Sequence, residues 1–222
     1  MKRLVPLIAL LSSAVLFWAP LPARAATTVG LWHMDETSGG TANDSSDKDN
    51  DGRLSHITFV TPGFDGSGGA YSFNGTSSKV IVSSSSSLSP GSQTIIVTVH
   101  VNFTDNPSES VGDYDLVRKG SSSAPYYKVE ILQSGKAFCF FRGSSSRKGV
   151  TVGPALNDGH WHTITCKKTS GTISGTVDGT TSSKSITIGS ISNSASLVFG
   201  GKASGNDDLY KGEMDEVVIA IG

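Results

Sequence analysis

The stretch Gln93-Thr94-Ile95-Ile96-Val97-Thr98-Val99-His100-Val101-Asn102-Phe103 decides how the rest of the chain is read. Ile95, Val97, Val99, Val101 and Phe103 recur at every second position, with Thr94, Thr98, His100 and Asn102 between them. A period of two belongs to a strand with one face buried and the other wet. Ile96 is the one apolar residue on the outer face. Outward from here, short β-branched or aromatic runs alternate with Gly, Ser, Asn, Pro and Asp. They are expected as strands at Val29 to Met34, His56 to Val60, Ala70 to Phe73, Lys79 to Val82, Tyr114 to Lys119, Tyr126 to Leu132 and Ala137 to Phe141. Trp161 to Lys168, Thr172 to Val177, Ser185 to Ile188, Leu197 to Phe199 and Glu213 to Ile221 continue the series. On the last of these, Asp215, Val217, Ile219 and Ile221 are expected to share a face. Roughly a dozen strands, with turn signals about every 8–12 residues, predict an all-β fold, a sandwich or barrel. No long run of helix formers interrupts them, and no linker divides them.

Lys2 and Arg3 lead an apolar run from Leu4 to Leu21, and Ala23-Arg24-Ala25 forms an A-x-A site before Ala26. This layout predicts a secretory signal peptide over 1–25 and one extracellular domain over 26–222. Read as a membrane span, the run is short and broken by Pro6 and Pro20. Loss of Lys2, Arg3 and Arg24 lowers the basic residues from 18 to 15 against 19 acidic ones, so the mature charge is −4. A mildly acidic chain with no basic cluster argues against nucleic acid and anionic membrane surfaces. No other apolar segment is long enough for membrane insertion. Cys139 and Cys166 are the two cysteines. An even count in an exported chain predicts a structural disulfide between two strands near the core.

The acidic residues carry the most chemical information. Asp47-Lys48-Asp49-Asn50-Asp51-Gly52 spells D-x-D-x-D-G, the first half of a calcium loop with oxygens at alternate positions. An EF-hand needs Glu at the twelfth position, where Thr58 stands, and flanking helices that are not visible. The same residue types also make a plain turn-rich connection. His160 and His162 would share a strand face, but no third zinc ligand lies nearby. Retaining glycosidases need two carboxylates about 5–5.5 Å apart. Glu213-Met214-Asp215-Glu216 starts like the E-x-D-x-x-E pattern and then fails, because Glu216 falls on the opposite face. Glu109 and Glu130 have no acidic companion at strand spacing, and no nucleophile elbow or phosphate loop is present. A non-enzyme is expected. Trp32 and Trp161 are read as core packing. Tyr126, Tyr127 and Tyr210 are candidates to stack on a ligand, Tyr126 and Tyr127 facing opposite ways. Asn43, Asn74 and Asn102 begin N-x-S/T sequons, which matter only if the host glycosylates exported proteins.

Several stretches also follow a known order. Gly30-Leu31-Trp32-His33-Met34-Asp35-Glu36 is followed by Asp44-Ser45-Ser46, Asn50-Asp51-Gly52-Arg53-Leu54 and Ala70-Tyr71-Ser72-Phe73-Asn74-Gly75. Asn157-Asp158-Gly159-His160-Trp161-His162, Val177-Asp178-Gly179 and Tyr210-Lys211-Gly212-Glu213-Met214-Asp215-Glu216-Val217 complete the set. Together they resemble the bacterial laminin-G-like (concanavalin A-like, pentraxin-related) jelly-roll domains. The resemblance implies a two-sheet jelly roll and a structural calcium ion held by Asp35 and Asp215, with Asn74 a third ligand. The chain departs from the pattern at Asn74, where Asp is usual, and at Met34. With the D-x-D-x-D-G loop, the candidate calcium ligands are Asp35, Asp47, Asp49, Asp51, Asn74 and Asp215. The implied function is a secreted, non-catalytic, carbohydrate-binding module, the alternatives being a protein-adhesion module and, behind it, a glycan-degrading enzyme of the same fold.

Overall fold

The computed structural model describes residues 25–108 and 112–222, so the expected signal peptide lies outside the described residues apart from Ala25. The strands are β1 (Thr27–Trp32), β2 (Thr41–Ala42), β3 (Gly52–Ser55), β4 (Thr58–Val60), β5 (Ala70–Asn74), β6 (Lys79–Val82), β7 (Ile95–Asn102) and β8 (Tyr114–Lys119). There follow β9 (Tyr126–Ile131), β10 (Lys136–Arg142), β11 (Arg147–Ala155), β12 (His162–Lys168), β13 (Thr172–Val177), β14 (Thr180–Ser185), β15 (Leu197–Phe199) and β16 (Lys211–Ile221). The described helix is one short 3₁₀ turn, Ser86–Leu88. The first sheet runs β14-β13-β12-β7-β16-β5-β4, with β1 also on β16; the second runs β11-β10-β9-β8-β15-β6-β3-β2. All pairings are antiparallel, and the two sheets form a jelly-roll sandwich.

The alternation on β7 places that strand at the centre of the first sheet. Ile95, Val97, Val99 and Val101 are fully buried, while Ile96, Thr98, His100 and Asn102 are half-buried on the outer face. The inward faces of both sheets fill one continuous core around Trp32, Tyr71, Phe73, Phe141 and Phe199. Cys139 on β10 and Cys166 on β12 are disulfide-bonded, so the bridge joins one sheet to the other through that core.

Three expectations are corrected. Asp215 does not share a face with Val217, Ile219 and Ile221. Glu216 adopts a positive φ of 48°, and the register of β16 against β7 shifts between Asp215 and Val218. This bulge puts one extra residue into the strand and resets its alternation. Asp215 therefore pairs with His100 on the outer face, and Val217 returns to the core. Trp161 lies just before β12 and is half-buried, its ring 6.1 Å from Phe64 outside the first sheet. The strand expected at Ser185 to Ile188 instead lies earlier, as β14, which ends at Ser185. β14 is polar throughout and forms the outer edge of its sheet, where an alternating apolar pattern is not required. The Asp178-Gly179 turn that leads into it has φ of 46° and 84°, the two positive values of a tight hairpin.

Candidate functional site

Two regions outside the core gather chemistry. The first is built by the Glu216 bulge and the loop 63–69. Asp35 Oδ1 accepts the Gly69 N–H at 2.7 Å. Asp215 Oδ2 accepts the Phe64 N–H and its Oδ1 the Glu216 N–H, both at 2.8 Å. Two carboxylates thus hold one glycine-rich loop from either end. With Asp65, Ser67, Gly68, His100 and Glu216 they line a single pocket. Burial pushes the Asp215 carboxyl up to about 6; the Phe64 and Glu216 N–H groups oppose this, and the Glu216 and Asp35 charges reinforce it. His33 Nδ1 lies 2.7 Å from Glu216 Oε1, and that contact raises the imidazole above its usual value. Phe64 closes the loop over the His100 ring at a centroid distance of 3.7 Å.

The donor set suits a hard cation in part. Carboxylate and backbone carbonyl oxygens are calcium's ordinary ligands, and six to eight are wanted. The Ser67 and Gly69 carbonyl oxygens and Asp215 Oδ2 all converge on the space beside Gly63 that a side chain there would occupy. Among the described residues, however, no three His, Cys, Asp or Glu side chains come together as a metal cluster. Any ion here would draw on Asp35, Asp215 and main-chain oxygens.

The other candidate ligands lie elsewhere. Asn74 pairs with Lys211, four residues along β16 from Asp215. Its Oδ1 accepts the N–H groups of Thr76, Ser77 and Ser78 at 2.9–3.1 Å, closing the turn after β5. In the D-x-D-x-D-G loop, Asp47 is exposed and pairs with Lys48 at 3.0 Å, Asp49 has φ of 51°, and Asp51 Oδ1 accepts the Asp44 N–H. The residue that organises the loop is Asp44, whose carboxylate accepts N–H bonds from Leu31, Ser46 and Asn50. Asn50 then anchors it to the core, donating to the Val29 carbonyl and accepting from Trp32 Nε1 through its own carbonyl.

The second region is the outer face of the second sheet. Of the three tyrosines expected to meet a ligand, two are in the core. Tyr127 and Tyr210 are 0% exposed, their hydroxyls donating to the Leu88 and Glu213 carbonyls. Neither ring has a face to offer. Tyr126 points outward, stacks on Phe140 at 5.3 Å and lies beneath the Arg118 guanidinium at 5.1 Å. Phe138 continues the row 6.0 Å from Phe140, and both phenylalanines are half-buried. The tip of the Phe138 ring lies over Gly149, where any side chain would collide with it. The signal was present in the sequence: with Cys139 and Phe141 inward, alternation obliges Phe138 and Phe140 to face out.

Beneath this row Asp115, directly opposite Glu130, is bound by Arg118 at 2.8 Å and lies 3.6 Å from Lys128, which also binds Glu130. Glu130 thus has an acidic companion on the neighbouring strand, where spacing along one strand could not reveal it. Burial pushes its carboxyl up to about 8 against the pull of Lys128. Asp115 is 0% and Glu130 2% exposed, so this pair is sealed from any substrate.

The model of the laminin-G-type family in the concanavalin A-like lectin/glucanases superfamily matches residues 74–220. The chain belongs to this family. No curated protein matches it in sequence. Among solved structures it is similar to the binding domain of Paraclostridial Mosquitocidal Protein 1, with TM-score 0.69 and 16% identity over 86% of this chain and 48% of that one. The laminin-G-like chain thus spans about half of that domain's length. Domain 4 of AbnA, a GH43 extracellular arabinanase from Geobacillus stearothermophilus in complex with arabinotriose, gives 0.65 and 14%, covering 90% and 94%. Mouse laminin α1 domains LG4-5 give 0.55 and 19%, covering 68% and 40%. At these identities the likeness is one of fold.

Proposed function

We propose that this laminin-G-like chain is an exported, non-catalytic module that binds glycans on the outer face of its second sheet and is stabilised by calcium at Asp35 and Asp215. The observation that carries the glycan reading is the row Tyr126, Phe140, Phe138, which leaves two aromatic rings partly exposed beside charged hydrogen-bonding groups. Apolar rings with a few convergent polar groups are what a sugar ring, apolar on its C–H faces and polar at its rim, requires. The arabinotriose complex of the similar AbnA domain lends support. Against catalysis stands the burial of Asp115 and Glu130, both held by Lys128. A screen of immobilised glycans tests the function, with Phe140→Ala as control. Binding that falls about tenfold or more in that variant, roughly 1.4 kcal/mol, is expected. A screen with no glycan retained, or binding indifferent to Phe140, would sink it and turn the search towards protein partners.

A further inference from the structure

Along β10 and β11 the outer face carries an unmatched positive charge. Lys136, Phe138, Phe140 and Arg142 alternate with the inward Ala137, Cys139 and Phe141, so all four face outward. Arg147 on β11 stands directly opposite Arg142, on the same face. Like charges directly opposite on a ladder destabilise it. Among the described residues, no carboxylate forms an ion pair with Lys136, Arg142 or Arg147. The Arg142 guanidinium donates to the Ser122 carbonyl, which fixes it beside Arg147 without neutralising it. The deeper cations on this face are already matched, Arg118 by Asp115 and Lys128 by Asp115 and Glu130. The excess therefore lies at the two ends of the aromatic row, a paired arginine site at one and Lys136 at the other. Six residues of strand separate them, on the order of 20 Å.

We infer that the ligand is a linear anionic glycan, of the uronic-acid class, lying along β10. Its carboxylates meet Arg142 with Arg147 at one end and Lys136 at the other, and its sugar rings cover Phe140 and Phe138 between them. Charge complementarity selects this occupant. Guanidinium groups bind carboxylates in bidentate geometry, and an anion between Arg142 and Arg147 removes the repulsion they otherwise exert on each other. The inference rests on the glycan-binding reading above and narrows it to one class.

The test is titration of the exported chain with short oligogalacturonates, with neutral arabinan oligosaccharides of equal length and with single-stranded DNA. Expected is preference for the oligogalacturonate by about tenfold or more, weakening as salt shortens the Debye length. Arg147→Glu, at an exposed position, is expected to abolish that preference with an unfolding midpoint equal to or above that of the unsubstituted chain, because it faces Arg142 with an opposite charge, and Phe138→Ala to weaken binding of any glycan. Neutral glycans bound as tightly as acidic ones, with Phe140→Ala still harmful, would overturn the acidic class and leave the glycan module standing. Acidic binding indifferent to Arg147→Glu and Lys136→Glu would overturn the placement. DNA bound more tightly than any sugar would overturn the ligand class. No binding of any glycan would remove the broader function together with it.

Discussion

At Gly63 an added Cβ would stand 2.3 Å from the Gly69 carbonyl oxygen and 2.6 Å from Asp215 Oδ2. Neither atom can swing away as the end of a flexible side chain could, because one is backbone and the other is fixed by two N–H bonds. Gly63→Ala is therefore expected to lower stability by about 1–3 kcal/mol and to loosen the loop that Asp35 and Asp215 hold. Chemical denaturation measures the first effect, and amide exchange of Phe64 and Gly69 the second. Tyr127 and Tyr210 show how far a residue type can mislead. Their sequence context, beside Pro125 and Asn206-Asp207-Asp208, suits ligand loops, whereas both rings are fully buried. Tyr210 packs against Phe73 and Tyr114 at centroid distances of 5.6 Å. Tyr127→Phe leaves the buried Leu88 carbonyl without its donor and is expected to cost about 1–3 kcal/mol of stability, with glycan affinity unchanged. A loss of affinity at equal stability would return Tyr127 to the ligand surface.

Among the elements, the hairpin of β12 and β13 carries a pH-sensitive clasp. His162 Nδ1 lies 2.7 Å from Asp178 Oδ2 and its Nε2 3.0 Å from Asp158 Oδ1. Burial lowers the imidazole's pKa, but hydrogen bonds to Asp178 and Asp158 outweigh it, and the net direction is upward from 6.5. The folded state therefore holds this proton more tightly than the unfolded state. Its contribution is complete below about pH 6.5 and is lost as pH rises through the folded value. His162→Gln is expected to flatten the fall in melting temperature between mildly acidic and mildly alkaline pH, and an unchanged profile would refute the clasp. The disulfide acts between elements of different sheets. It closes a loop of 27 residues' separation, for which unfolded-state entropy gives about 3–4 kcal/mol. The Cys139→Ala, Cys166→Ala double variant is expected to lose stability of this order in denaturant titration. The strands found by alternation, β7 above all, were legible because one face is apolar and the other is not. β11 and β14 were not, because Gly149, Gly153 and Pro154 interrupt the former and the latter buries nothing of its own.

For the whole molecule, the decisive measurement is thermal unfolding of residues 26–222 with excess calcium and then with a chelator. An ion bound to the folded state alone, at a hundred times its dissociation constant, stabilises by about 2.7 kcal/mol. Calcium is expected to raise the midpoint, and Asp215→Ala to remove the rise. A midpoint blind to both calcium and chelator would leave Asp35 and Asp215 as loop anchors only. The chain by itself determined an all-β fold closed around one core, because strands apolar at every second residue must bury that face against other strands. It also determined the family, through motifs in order, and the cysteine pair, through an even count read with an expected export signal. It could not show which charges meet. Glu130 finds Asp115, and Arg142 finds Arg147, through hydrogen-bonded register between strands. A sequence without a basic cluster thus folds into a surface with one. The Glu216 bulge likewise turned Asp215 outward by a single residue's change of phase. Periodicity is local and can be read along a chain. Cross-strand neighbours are set by turns, bulges and packing, which the tertiary structure alone decides.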